Sequence, residues 1–377
     1  MAINYKKFIL LYFIFVPFIM RAQANVYVTP STIVLSGQNT ITLDVMIADV
    51  IDLHAYSVRI TFNNSIVRLT SVTQGSFLSS GGSTLFFVNP AQIVDYVLIE
   101  AAILGTNTVS GSGKIFSLNF DVLSAGNSPI TITLVQLLDH NNSNIQVNWV
   151  SGEILVPIAV KLKTFLQGPF NINEMNTTLN LSGSLPRLQP YSGAPWNYSG
   201  SESVKTGFFS TQPNIVDWVL IELRTGIGSN TIVERKAGFI TNTGSIVGID
   251  GTSSLYFLRP KGNYYVVIYH RNHIPIMSSN LTYLNYLSTT YDYTTGMSKA
   301  YGVNSQIQLN TGIFGMFAAD ANGNGQVQNN DKESYWIIQN GQSGYKESDY
   351  NLNGQVQNND NETFWVPNNG KGTQVPN

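Results

Sequence analysis

Ala55–Phe62 reads AYSVRITF, and its alternation decides the fold of the region around it. Successive side chains of an extended strand point to opposite faces, so Tyr56, Val58, Ile60 and Phe62 share one side and Ser57, Arg59 and Thr61 the other. Residues 113–122, GKIFSLNFDV, repeat the design with Phe116, Leu118, Phe120 and Val122 on the apolar side. Working outward, residues 25 to 155 hold roughly eight or nine such runs, broken by the turn signals FNNS, SSGG and SAGNSP and by no amphipathic helix. Strands with one apolar face must bury it against a second sheet. The expectation is an antiparallel β-sandwich.

The first 24 residues have a different composition. Lys6 and Lys7 precede the apolar run FILLYFIFVPFIM, followed by RAQA with Ala22 and Ala24 as small residues, the pattern of a signal peptide over 1–24. A bilayer-spanning helix needs about 20 apolar residues, and no segment supplies them, so no membrane span is expected. The inference is a secreted, extracellular chain, attached to a cell surface, if at all, through a partner. Cysteine is absent, so stability must come from burial, metal or both. Without Lys6, Lys7 and Arg21 the 20 basic residues fall to 17 against 22 acidic, a net charge of −5 that argues against nucleic acid. From Asp320 onward seven carboxylates face three lysines, so most of that excess sits in the last stretch of chain and points to cations.

Residues 159–315 form a second β-rich region. WVLIEL and YYVVIY are almost continuously apolar over strand length, which predicts strands buried on both faces, in a second β-sandwich. The Gly- and Ser-rich stretch 182–211 reads as an extended loop or a decorated edge.

Near the C-terminus one dodecapeptide occurs twice: DANGNGQVQNND at Asp320–Asp331 and DYNLNGQVQNND at Asp349–Asp360. A calcium loop takes oxygen ligands at positions 1, 3, 5, 7, 9 and 12, with glycine at 6 where the chain turns sharply. Asp320, Asn322, Asn324, Gln326, Gln328 and Asp331 fill these positions in the first copy, and Asp349, Asn351, Asn353, Gln355, Gln357 and Asp360 in the second, implying two Ca2+ ions. Gln326 and Gln355 would ligate through backbone carbonyls, and Gln328 and Gln357 through water. Val327 and Val356 at position 8 are expected to bridge the two loops. Two carboxylates per loop place the affinity near roughly 0.1 to 1 mM. Pro367 is expected to shorten the second of the two following helices. The match continues past position 12, DKESYW against DNETFW, as a linker would not.

VTPSTIVLSGQNTITLDVMIADV, then LHAYSVRITFNNSIVRLTSV and VSGSGKIFSLNFDVLSAGNSPITI, resemble a cohesin domain, the jelly-roll receptor module of bacterial cellulosomes, over 25–158. The duplicated loops, each followed but not preceded by a helix, resemble a type I dockerin over 316–367, leaving 368–377 as a trailing tail. Residues 159–315 are similar to a β-domain without assigned activity. The resemblances imply a non-catalytic scaffold or adaptor in polysaccharide-degrading, carbohydrate-binding assemblies, with dockerin-bearing and cohesin-bearing proteins as partners and polysaccharide as a further one. In the dockerin family, positions 10 and 11 read the partner; here they are Asn329, Asn330, Asn358 and Asn359. Alternatively these asparagines cap the helices.

Two other readings stay open. A glycoside hydrolase would need paired carboxylates within 160–315, and Glu100, Glu153 and Glu222 show no evident pairing. An extracellular matrix or adhesion protein would use the same modules differently. His270 and His273 could pair on a metal or be structural, and Tyr191, Trp196 and Tyr198 could stack on sugars or pack.

Overall fold

In the computed structural model, residues 23–89 and 95–377 are described, so the signal-peptide reading, except for its last two residues, lies outside them. Ala24 already opens the first strand. The first region is built from β1 (Ala24–Thr29), β2 (Thr32–Val34), β3 (Thr40–Leu53), β4 (Ala55–Thr61), β5 (Val67–Gln74), β6 (Thr84–Val88), β7 (Tyr96–Ile103), β8 (Val109–Val122), β9 (Gly126–Leu138), β10 (Asn144–Ile145), β11 (Val147–Val150) and β12 (Gly152–Val156). One sheet runs β11-β1-β3-β8-β5 and the other β2-β12-β9-β4-β7-β6, with β10 beside β9. All pairings are antiparallel except β1 with β11 and β2 with β12. This is a jelly-roll sandwich. The faces are those the alternation requires: Tyr56, Val58, Ile60 and Phe62 are buried against Phe116, Leu118 and Phe120, with Phe62 edge-on to Phe120 at 5.3 Å.

The second region begins one residue early, at Ile158, because Ile158–Val160 pairs with Leu255–Phe257. It is organised around one antiparallel sheet, ordered Ile246–Val247, Ile232–Thr241, Ile215–Arg224, Gly262–His270, His273–Met277, with Thr282–Leu284 added to Gly262–Tyr264. Every residue of Ile215–Arg224 is buried, so both faces are covered, as the apolar runs require. The covering layers are two-stranded ribbons, helical turns and loops. A second sheet of comparable size is absent from this region, which corrects the expectation of a second full sandwich. Part of one layer is the 182–211 stretch itself. Tyr191 is fully buried and donates from its hydroxyl to the Trp218 carbonyl at 2.8 Å, while the Trp218 indole donates to the Pro186 carbonyl at 2.8 Å. Trp196 packs edge-on to Tyr191, and the Tyr198 hydroxyl donates to Glu202. These aromatics are packing residues.

The buried carboxylates of this region are consumed internally. Glu222 accepts from Arg224, Arg235 and Tyr269. Asp217 accepts from Trp218 N, Tyr345 hydroxyl, His270 Nε2 and Arg271 Nε. Burial alone would raise the Asp217 carboxyl, but the Arg271 guanidinium and the His270 hydrogen bond hold it down at about 2. One continuous hydrophobic core runs from the first sandwich into the second region. Asn285 Oδ1 accepts from Ala125 N at 2.7 Å, and the Tyr286 hydroxyl donates to the Gln38 carbonyl at 2.7 Å.

Candidate functional site

Two surfaces carry features beyond packing. The first is the outer face of β6, β7, β4 and β9. The register aligns Leu85, Ala102, Ala55 and Leu138 in one row across the four strands, and Phe87, Glu100, Ser57 and Gln136 in the next. Leu85 is 46% exposed and Phe87 60% on an edge strand, so two large apolar side chains stand largely uncovered among the described residues. Ser57 Oγ lies 3.3 Å from Glu100 Oε1. An apolar row beside a row of hydrogen-bonding groups, around a shallow depression of about 240 Å3, is what a protein partner can cover and register against.

The second is the pair of dodecapeptide loops. In each, asparagine side chains curl the backbone: Asn322 Oδ1 accepts from Asn324 N and Asn324 Oδ1 from Gln326 N, each at 2.9 Å, and Asn351 and Asn353 do the same to Asn353 N and Gln355 N. Gly325 and Gly354 at position 6 have φ +85°, where a side chain is strained, and each donates its N–H to the position-1 carboxylate at 2.8 Å. Position 12 turns back. Asp331 accepts from Asn322 N and Gln328 N, and Asp360 from Tyr350, Asn351 and Gln357 N. All four aspartates are fully buried. Burial, and then the Asp331 charge, push Asp320 up to about 8; burial outweighs Arg271 and raises Asp349 to about 7; burial also raises Asp331 and Asp360. Asp320 Oδ1 is buried with no hydrogen-bond partner.

An orphaned buried carboxylate oxygen, in a loop whose other ligand positions carry amide oxygens, fits a hard cation, which would replace the missing partner. No cluster of three or more His, Cys, Asp or Glu exists among the described residues, so any cation here would be held by two carboxylates, amides and backbone carbonyls. The position-9 side chains lie at the surface, where Gln328 donates to Gln326 and Gln357 to Gln355.

The two loops clasp each other crosswise. Trp336 Nε1 donates to the Gln357 carbonyl and Trp365 Nε1 to the Gln328 carbonyl, each at 3.0 Å. Each indole brings its own helix end beside the opposite loop. The valines therefore do not bridge one another as expected: Val327 pairs with Gly370 and Lys371, and Val356 with Gly341 and Gln342. The helices are not unequal either. Wide helical stretches Asp331–Trp336 and Asp360–Trp365 run into α-turns Ile337–Gln339 and Val366–Asn368, and both stop at an Asn-Gly turn, with Gly341 at φ +82° and Gly370 at φ +89°. Pro367 sits in a last turn that was ending anyway. Asn329, Asn330, Asn358 and Asn359 are exposed in the first helical turns, and neither Asn330 nor Asn359 makes a side-chain cap bond, which removes the capping alternative for those two.

A family model for the cohesin domain matches residues 36–156. Residues 36–156 are a cohesin domain. Among solved structures, similar chains include a non-cellulosomal cohesin from the hyperthermophilic archaeon Archaeoglobus fulgidus, at 18% identity and TM-score 0.31 over 36% of this chain and 91% of that one. CaCohA2 from Clostridium acetobutylicum matches at 20% and 0.31 over 36% and 92%. A chain of a type I cohesin–dockerin complex from Clostridium thermocellum matches at 12% and 0.31 over 36% and 93%. No curated protein matches the chain.

Beyond the cohesin domain, several residues were not singled out from sequence. Ile337, Ile338 and Val366 are 54%, 64% and 55% exposed on the clasp helices that begin at the exposed asparagines. Their signal was an apolar residue directly after each tryptophan, at positions the small clasp core does not need. The residues expected to trail, 368–377, are strapped down: Thr373 N donates to the Gly325 carbonyl, Thr373 Oγ1 to the Pro275 carbonyl, and Arg224 Nη1 to the Pro376 carbonyl.

Proposed function

We propose that this chain is an exported, non-catalytic adaptor with two docking surfaces. The cohesin domain receives a dockerin module of another protein on the β6-β7-β4-β9 face, with Leu85 and Phe87 as apolar anchors and Glu100, Ser57 and Gln136 fixing register. The C-terminal clasp binds two calcium ions, one through Asp320, Asn322, Asn324, Gln326 and Asp331 and one through the equivalent residues Asp349, Asn351, Asn353, Gln355 and Asp360. It presents Asn329, Asn330, Ile337 and Ile338, with Asn358, Asn359 and Val366, to the cohesin of a second partner. Calcium supplies positive charge to a clasp whose carboxylates are buried in both repeats. Polysaccharide-degrading assemblies are the proposed setting, with attachment to the cell through a partner.

The observation that carries the reading is the cohesin match joined to an apolar row left largely uncovered, among the described residues, on one face of the same domain. The test is capture from culture supernatant with the whole chain and with a Leu85→Asp, Phe87→Asp double variant, in calcium and in chelator. The expected catch consists of proteins bearing duplicated calcium loops, lost in the double variant. A catch indifferent to both substitutions would overturn the assignment of the face. Calorimetry of the whole chain with calcium is expected to give two ions per molecule, and none at millimolar calcium would remove the second surface.

A further inference from the structure

The clasp does not stand clear of the second region. The hairpin formed by Gly262–His270 and His273–Met277 pairs His270 with His273, leaving Arg271 and Asn272 as its two-residue tip. That tip enters between the starts of the two loops. The Asn272 backbone carbonyl accepts from Ala319 N at 3.0 Å and from Asp320 N at 3.2 Å, at position 1 of the first loop. The side-chain amide of the same residue donates to the Glu347 carbonyl at 2.9 Å and to the Asp349 carbonyl at 2.8 Å, at position 1 of the second. Asn272 is fully buried.

Its amide cannot flip without loss. His273 Nε2 accepts from Gly168 N at 3.2 Å, which places the imidazole proton on Nδ1, where it is shared between Asn272 Oδ1 at 2.9 Å and His270 Nδ1 at 3.0 Å. The amide nitrogen is thereby aimed at the second loop. Arg271 is fixed beside it by Asp217 and by the Tyr345 ring, 4.1 Å from its guanidinium carbon, and donates to the Lys346 carbonyl. Gly168 completes the seat. A Cβ there would lie 1.6 Å from the Tyr350 carbonyl oxygen, so the backbone between positions 1 and 3 of the second loop rests directly on the second region.

We propose that Asn272 is a positioning residue that joins the two loops into one cation-binding unit, setting the first ligand of loop one through its backbone and of loop two through its side chain. The second region then serves as the platform on which the clasp becomes competent, and binding in one loop is felt in the other through this residue. The proposal rests on the calcium reading above.

Calcium calorimetry of the chelator-stripped whole chain is the test, with Asp320→Asn and Asp349→Asn variants each isolating one loop. Replacing Asn272 by Ala removes both amide bonds to loop two and keeps the carbonyl that serves loop one. In the Asp320→Asn background, Asn272→Ala is expected to weaken calcium binding about tenfold, the scale on which groups orienting metal ligands act. In the Asp349→Asn background the affinity is expected to hold. With both loops intact, the wild type is expected to bind two ions with positive coupling that Asn272→Ala abolishes. Equal weakening of both loops would mean a merely structural loosening and would overturn the proposal, as would unchanged isotherms. Should the alanine variant fail to fold, Asn272→Ser is read the same way. A wild type that binds no calcium would defeat the calcium reading itself, which separates the two failures.

Discussion

In the cohesin domain, burial is favourable in itself; in the clasp, it is costly. Leu118 and Phe120 leave water for a core that gains by roughly 1.5 to 3 kcal/mol per large side chain. Asp320, Asp331, Asp349 and Asp360 are buried as completely, and each would lose its hydration without full compensation. The difference shows where each region finds its order. The sandwich is ordered by its own alternation. The clasp has a small apolar cluster, Val327, Tyr350 and Trp365 with Ile274, Phe317 and three alanines, and borrows the rest from a hairpin tip, a C-terminal strap and, on our reading, two cations.

The sharpest way to test that contrast is at its apolar end. Phe120→Ala should cost about 4 kcal/mol through the lost side chain and the cavity left behind. Denaturant unfolding of the whole chain is the measurement. The loss should be the same in calcium and in chelator, and a calcium-dependent loss would mean the sandwich and the clasp are not separate in their sources of stability.

Gly168→Ala addresses the seat of the clasp. The new methyl would overlap the Tyr350 carbonyl, and overpacking against backbone costs about 2 to 3 kcal/mol. The expected signature is faster hydrogen exchange at residues 345–354 with the β4 and β8 amides unchanged. Protection retained in the clasp would contradict its dependence on the second region.

Acid attacks the ion pair beneath that seat. The Asp217 carboxyl sits at about 2 in the folded chain against an ordinary value of 3.8. A depressed carboxyl contributes stability above the unfolded value, and that contribution is lost as pH falls from about 4 through about 2, amounting to about 2 kcal/mol at the scale of 1.36 per unit. Thermal unfolding between pH 5 and 2 should lose this increment in the wild type. If Asp217→Asn followed the same acid dependence, the carboxyl would not be its source.

How far the sequence could be read follows the same division. The cohesin strands were legible because period-two alternation is a local property, visible in AYSVRITF and GKIFSLNFDV alone. The loops were legible because Asx turns and a position-6 glycine are local too. Neither the pairing of Val327 with Gly370 and Lys371 and of Val356 with Gly341 and Gln342 nor the role of Asn272 could be read, because both depend on contacts between segments far apart in the chain. HRNH looks like any polar strand end until the chain beyond residue 316 is laid against it. Pro367 misled because a proline stops a helix only where the helix would otherwise continue, and the Asn-Gly turn had already ended it. The second sandwich failed for a related reason: WVLIEL reveals burial on both faces, but not whether the cover is a sheet or loops.

The smallest expected effect separates the two copies of the dodecapeptide. Gly325 and Gly354 share φ +85°, so alanine at either should cost roughly 1 to 2 kcal/mol for the left-handed backbone. Their surroundings differ. A Cβ on Gly354 meets only Ser182 Oγ at 3.6 Å, an ordinary contact, whereas one on Gly325 lies 2.8 Å from Thr373 Cγ2. Thr373 donates to the Gly325 and Pro275 carbonyls, so displacing it loosens the strap that joins loop one to the second region. Gly325→Ala should therefore be the more damaging, by about 1 kcal/mol, the worth of one such hydrogen bond. It should also raise exchange at residues 370–377, which Gly354→Ala leaves protected. Equal losses, with the strap unmoved in both, would mean that the copies are interchangeable in energy as well as in sequence and that the strap contributes nothing to loop one.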